Sequence, residues 1–453
     1  LVLGSGWQRE IHRMMGMDPP ARTSVVAVLL VAALLFVALV ALGRALRRLA
    51  RWLGRRLGRW IPPRVARPVA AVAVAALAIG VLNGVVIDGL FAAADSSFKT
   101  VNGETDPGIE PPTDPGRSGG PGSVVSWASL GNQGRKFVAG GPTAEQLADF
   151  GGPSPERPIR VYTGIESAPS AAERAELAVR ELERTGAFSR EVLCVIGTTG
   201  TGWVDESAVD PLEYMYHGDT ALVAMQYSYL PSWISFLVDK ERAREAGREL
   251  FNHVYAAWAA RPEGQRPKLV VFGESLGSFG AESAFSGSAD MAARTDGMLL
   301  VGPPNRNTLW REYVADRESG TPEILPTYDD GGTVRFGARS VDLDEPDGVW
   351  GPTRVVYLQH PSDPITWWTP RLMLNRPDWL EEPRGADVSD NVRWYPFVTF
   401  WQITADMAFS TGVPDGHGHS YGAEPVQAWS RIIPPDGWTD AQAEELTRII
   451  QSG

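Results

Sequence analysis

Residues 270–285 read VVFGESLGSFGAESAF: an apolar strand that breaks at two glycines bracketing a serine, then turns helical. Gly273-Glu274-Ser275-Leu276-Gly277 fits G-x-S-x-G. Glycine, serine and glycine are also ordinary turn residues, and the pattern recurs by chance. Context separates the readings. A nucleophilic serine needs a sharp strand-to-helix turn that exposes its oxygen, with glycines two residues either side for close approach of the two elements. KLVVF before the motif and GSFGAESAF after it supply that strand and that helix. The helix also aims its first amides at the same point, where an oxyanion would develop.

The surroundings have the matching rhythm. IRVYTG (159–164), EVLCVIGTT, DTALVAMQYSY, PKLVVFG, GMLLVGPP and TRVVYLQHP are short Val/Ile/Leu runs, predicted as strands. Between them, 170–188 and 239–260 place Ala175, Ala178 and Leu182, and Ala243, Ala246, Leu250 and Val254, at helical spacing. Strands apolar throughout, alternating with helices, predict an α/β fold with a mostly parallel sheet covered on both faces. Residues 303–350 and 365–411 break the alternation, and the second is rich in tryptophan (ITWWTP, PDWL, RWYPFVTFWQ). Long excursions of this kind are expected as cap insertions over a sheet edge, with the tryptophans equally able to fill a small core of their own.

Serine needs a base, and the base needs an orienting acid. Of the six histidines, His12 lies in the N-terminal part and His253 mid-helix. His417 and His419 sit in VPDGHGHSYG, a glycine-rich loop before a final pair of helices. Asp363 follows a late strand in QHPSDP, with Asp406 as the weaker alternative acid and a plain Asp-Pro turn as the bland reading. Backbone amides of Leu276 and of Thr198 and Thr199, in IGTTGTGWVD after an early strand, are the candidate oxyanion donors. Two histidines without further clustered ligands do not make a metal site. The P-loop and dinucleotide glycine patterns are absent, so no cofactor is expected. The single cysteine, Cys194, excludes an internal disulfide and reads as a buried strand residue.

The N-terminal part has another character. Residues 24–43 and 68–87 carry no charge over 20 positions each, the length that spans a bilayer. Between them, residues 44–67 hold nine arginines and no acid, while the whole chain carries a net charge of -12. A basic stretch between two apolar runs reads as a cytoplasmic loop rather than a nucleic-acid site. The predicted organisation is a membrane domain over 1–95 with spans near 24–43 and 68–88, with Asp88 and Asp95 at the exit. A Pro/Gly-rich linker over 96–150 and a catalytic domain over 151–453 on the outer side follow. The chain starts without Met, which leaves room for further spans upstream. Oligomeric state is not legible.

The stretches GWQREIHRMMGM, GRKFVAGGP, PIRVYTGIESA, GESLGSFG, QHPSDPITWW and GHGHSY together resemble the α/β-hydrolase superfamily and, more narrowly, an actinobacterial family of membrane-anchored α/β-hydrolases. The resemblance implies a nucleophile at Ser275, an acid at Asp363 and a base in the GHGHSY loop. Members of this fold place the base after a glycine. Both His417 and His419 do so, and His417 is taken first. The resemblance does not imply a substrate, because the fold serves esters, thioesters, amides and acyl transfer. The expectation is a membrane-anchored serine hydrolase acting on an ester or thioester of a lipid, an acylated envelope component or another acylated small molecule. The rivals are an acyltransferase with the same triad and a non-catalytic binding module.

Overall fold

The structure, a computed structural model, describes residues 2–18, 25–81, 97–238 and 240–452. The chain divides into two compact units, Leu1–His12 with Asp18–Lys99, and Arg13–Met17 with Thr100–Gly453.

In the first unit the leading apolar run and the arginine stretch form one helix, Val25–Leu57, followed after a five-residue link by a helix over Pro63–Gly80. So short a link folds the two back on each other. Ala66, Ala70 and Val74, at i, i+4 and i+8, are the buried face of the second helix. A Cβ on Gly54 would stand 3.6 Å from that of Ala70, a small-residue contact suited to helices that pack in lipid. Both helices are long and apolar enough to cross a membrane. The end of the second predicted span, with Asp88 and Asp95, lies outside the described residues.

The second unit is built on seven parallel strands: β1 (Ile159–Thr163), β2 (Val192–Gly197), β3 (Thr220–Met225), β4 (Lys268–Glu274), β5 (Gly297–Val301), β6 (Val334–Gly337) and β7 (Arg354–Leu358). Their order in the sheet is β1-β3-β2-β4-β5-β7-β6. Alternate residues feed two cores. Leu269 and Val271 of β4 face one cluster, and Val270 and Phe272 face the other. Helices cover both faces, so each strand is apolar at every position. Helices 171–185 and 240–259 lie on the first face, and 206–215 and 424–432 on the second. Cys194 is a buried residue of β2, and burial pushes its thiol well up from the ordinary range, so it serves packing. The chain moves outward from β2 to β3 and then returns to the other side of β2 with β4. The loops after β2 and β4 therefore flank a crevice at the topological switch point, where sheets of this kind bind ligands.

Two expectations need correction. Residues 100–150 are not a loose linker but part of the sheet-bearing unit. Arg117 bridges Arg160 beside β1 and donates to the Val138 and Gly140 carbonyls. Arg135 is buried and donates to the Gly103 and Glu104 carbonyls and to Thr105. Proline and glycine remove apolar periodicity, but buried arginines that satisfy loop carbonyls give such a stretch a fixed conformation. Residues 303–350, expected as a cap, contain a helix, Thr308–Ala315, and the edge strand β6, which pairs with β7. The strand has four residues, one of them arginine, and shows no periodicity to read. In 365–411, Trp367, Trp368 and Trp379 are buried with Trp310, whereas Trp401 is exposed.

Candidate active site

Ser275 follows the last residue of β4 and has φ 53°, ψ -128°. A non-glycine residue there is strained by about 1–3 kcal/mol. The turn is held by the Ser275 N–H, which donates to the Val301 carbonyl of β5 at 2.8 Å. Its tightness depends on absent side chains. A Cβ on Gly277 would lie 2.1 Å from the Gly197 carbonyl oxygen, and one on Gly273 would lie 2.6 Å from the Gly277 oxygen. Both obstacles are backbone, which has no room to yield. Leu276, the first residue of the following helix, has no intrahelical acceptor for its N–H.

Asp363 caps the short helix Pro364–Trp367 after β7 and is fully buried. Its Oδ1 accepts from the Ile365 amide at 2.8 Å. Its Oδ2 faces His419 Nδ1 at 2.7 Å and accepts from the Tyr421 hydroxyl at 2.9 Å. A charge-assisted bond of this length contributes about 1.5–3 kcal/mol and sets the imidazole tautomer and ring plane. The other ring nitrogen, Nε2, has no protein partner and is buried. Ser275 and His419 line the same cleft of about 590 Å³. The imidazole is seated over Gly302, where a Cβ would stand 2.4 Å from its Cε1.

Of the doublet, the structure brings His419, and not His417, to Asp363. His417 Nδ1 stands 3.4 Å from Asp387 Oδ2, and its side chain does not line the cleft that holds Ser275. Gly416 and Gly418 both take positive φ, 82° and 53°, so the loop coils and its two imidazoles diverge. Asp406, the alternative acid, lies in helix Val398–Met407 with no histidine against it, and burial pushes its carboxyl up to about 6. Of the oxyanion candidates, Thr199 has its amide committed to the Trp203 carbonyl at 3.1 Å. Thr198 is buried with its hydroxyl on the Met225 carbonyl at 2.8 Å. Both belong to the loop that faces Ser275 across the switch point. Among the described residues no group of His, Cys, Asp and Glu is arranged to hold a metal.

Three further groups escaped the sequence reading. Tyr421, two residues after His419, adds a second donor to Asp363. His360 stacks on the Tyr421 ring at 4.0 Å between centroids and meets the Gly418 carbonyl through Nδ1 at 2.9 Å. Burial lowers its basicity, so it packs as a neutral ring under the catalytic loop. Glu274 is buried beside Ser275 and hydrogen-bonds Asp205, the cap of helix Glu206–Met215. Burial first, then the charge of Asp205, push the Glu274 carboxyl well above 4.5, and burial raises Asp205 as well. Two carboxyls in contact share a proton. No motif marks a residue whose partner lies about 70 positions away.

This pair makes a pH-dependent contribution. The folded protein holds a proton on Glu274 that the unfolded chain releases near 4.5. The associated stability is complete below that value and is lost as pH rises through the raised folded value. Glu274→Gln keeps a neutral side chain of the same shape at every pH. The variant is expected to lose less melting temperature than wild type as pH rises above 4.5, read by tryptophan fluorescence. Parallel declines in the two proteins would exclude the shared proton.

A family model described as Alpha/beta-hydrolase family matches residues 159–446, and one described as Alpha/beta-hydrolase family N-terminus matches residues 1–142. No curated protein matches, and no solved structure matches.

Proposed function

The chain belongs to the α/β-hydrolase family, and from that premise we propose that it is a membrane-anchored serine hydrolase acting on an ester or thioester of a lipid or acylated envelope component. The observation that carries the reading is the 2.7 Å contact of Asp363 with His419, which lines the cleft of Ser275 and leaves its other nitrogen without a protein partner. Ser275 Oγ attacks the acyl carbonyl while His419 Nε2 takes its proton. Asp363 keeps the Nδ1–H in place, and Tyr421 restrains Asp363. The Leu276 amide faces the developing oxyanion, with Thr198 as the remaining candidate beside it, since the Thr199 amide is taken by the Trp203 carbonyl. His419 returns the proton to the leaving group, and water releases the acyl chain. Two helices of membrane-spanning length support the anchored reading, and the arginine-rich stretch between the apolar runs, taken as cytoplasmic, supports a catalytic domain on the outer side.

The cleft limits what leaves. Asp205, Glu274 and Asp415 line it, and no lysine or arginine does. Such a wall repels anionic groups and accepts neutral or cationic ones. Serine and threonine hydroxyls on the same wall, among them Ser207, Ser410 and Thr411, also suit an alcohol acceptor, which is the observation favouring acyl transfer as a second reading. The test is fluorophosphonate labelling of the detergent-solubilised chain, with the adduct mapped by mass spectrometry, followed by a panel of esters matched in acyl chain. Labelling at Ser275 and at least about tenfold slower turnover of esters with anionic leaving groups are expected. No adduct would favour a binding module. Ester products formed with added glycerol or sugar would favour transfer.

A further inference from the structure

We propose that Leu374 together with residues 395–409 forms a docking surface for an anionic lipid surface, seating the mouth of the catalytic cleft on the bilayer. The inference rests on the membrane-anchored reading above and not on the catalytic one.

Residues 391–412, NVRWYPFVTFWQITADMAFSTG, contain only two charges, Arg393 and Asp406, in a chain that is 21% charged. Burial does not account for this. Leu374 is 68% exposed, Tyr395 52%, Phe397 55%, Val398 59%, Trp401 64% and Phe409 76%. Helix Val398–Met407 buries only Thr399 and Phe400. Its exposed positions 398, 401, 402 and 405 are Val, Trp, Gln and Ala, and exposed Ala408 and Phe409 follow its end. Phe397 has φ 62°, a region that bulky residues avoid, and the strain holds its ring in solvent. The Phe397 N–H donates to the Met373 carbonyl at 3.0 Å, which joins Leu374 to the same patch. A continuous exposed apolar surface of this kind marks an interaction site. A ring-rich face of Trp, Tyr and Phe suits the depth between headgroups and acyl chains.

The flank specifies the lipid. A groove of about 980 Å³ between helix Thr308–Ala315 and residues 369–378 is lined by five arginines, among them Arg306, Arg311 and Arg371, and by Glu312, Asp316, Glu323 and Asp378. Among the described residues none of these three has a carboxylate partner, whereas Arg317 pairs with Asp378 and Glu382. Arg306 lies over the Phe236 and Trp368 rings. Arg371 lies one turn before Leu374, so cationic and apolar groups meet at one edge. That pairing fits a phosphate-bearing headgroup above its acyl chains. Met407 and Ala408, at the end of the patch, line the catalytic cleft itself. The same chain carries two helices of membrane-spanning length, so a lipid surface is within its reach.

The test uses the full chain reconstituted in phosphatidylcholine vesicles containing about one-third phosphatidylglycerol. Phe409→Cys carries an environment-sensitive dye; the native Cys194 is buried and stays unlabelled. Val349→Cys, at a position 92% exposed and away from the patch, is the reference. A melting curve read by tryptophan fluorescence confirms that each variant is folded. A blue shift at position 409 and quenching by spin-labelled lipid several-fold above the reference are expected. Arg311→Ala with Arg371→Ala should cut the gain that phosphatidylglycerol gives over phosphatidylcholine alone. Equal quenching at both positions overturns the proposal. A blue shift without lipid quenching, growing with protein density, overturns it in favour of a second copy or another protein. Failure of the chain to float with the vesicles overturns the anchored reading together with this one.

Discussion

Ser275→Ala is expected to lower kcat/KM by on the order of 10⁶-fold, about 8 kcal/mol of transition-state stabilisation, with KM nearly unchanged. The serine oxygen forms the bond that breaks the acyl linkage. Cys194 is buried in the sheet. The residual rate comes from whatever oxyanion donors and binding remain. The side chain lost is small, so melting temperature should hold; removing the strain of an elbow at φ 53° requires a residue without a Cβ, which alanine is not. Steady-state kinetics on a soluble ester, paired with a melting curve, checks this. A loss under tenfold would remove Ser275 from the chemistry.

His419→Ala is expected to lose a comparable factor, on the order of 10⁵ to 10⁶, while His417→Ala stays within about tenfold of wild type. The contrast follows from geometry. His419 has one nitrogen on Asp363 at 2.7 Å, leaves the other without a protein partner, and lines the Ser275 cleft. His417 stands 3.4 Å from Asp387 and is partly exposed. Two histidines separated by one glycine share composition, charge and local sequence, so unequal effects measure position alone. Equal losses in the two variants, with both proteins folded, would mean that the loop coils differently in the working enzyme.

Much of this was legible from local order. The strand, the serine turn and the helix at 268–282 are encoded within fifteen residues, and the glycines at 273 and 277 report a steric need that is itself local. The parallel sheet was legible because strands covered on both faces must be apolar at every position. Two helices of membrane-spanning length were legible for the reason that hydrocarbon tolerates no charge.

The misread parts share a different property. Residues 100–150 are ordered by arginines reaching carbonyls far along the chain, and composition does not report such partners. The strand β6 exists because β7 offers it an edge. The choice of His419 over His417 depends on Gly302, more than a hundred residues upstream, which leaves room for one ring. Glu274 holds its proton because the fold buries it and because Asp205 arrives beside it from another loop. Sequence alone determined which residues can do chemistry and which elements carry them, because hydrophobic period and turn sterics act over a few residues. Tertiary structure alone decided which candidates meet, because hydrogen bonds and burial join groups whose separation along the chain is set by the order of strands in the sheet.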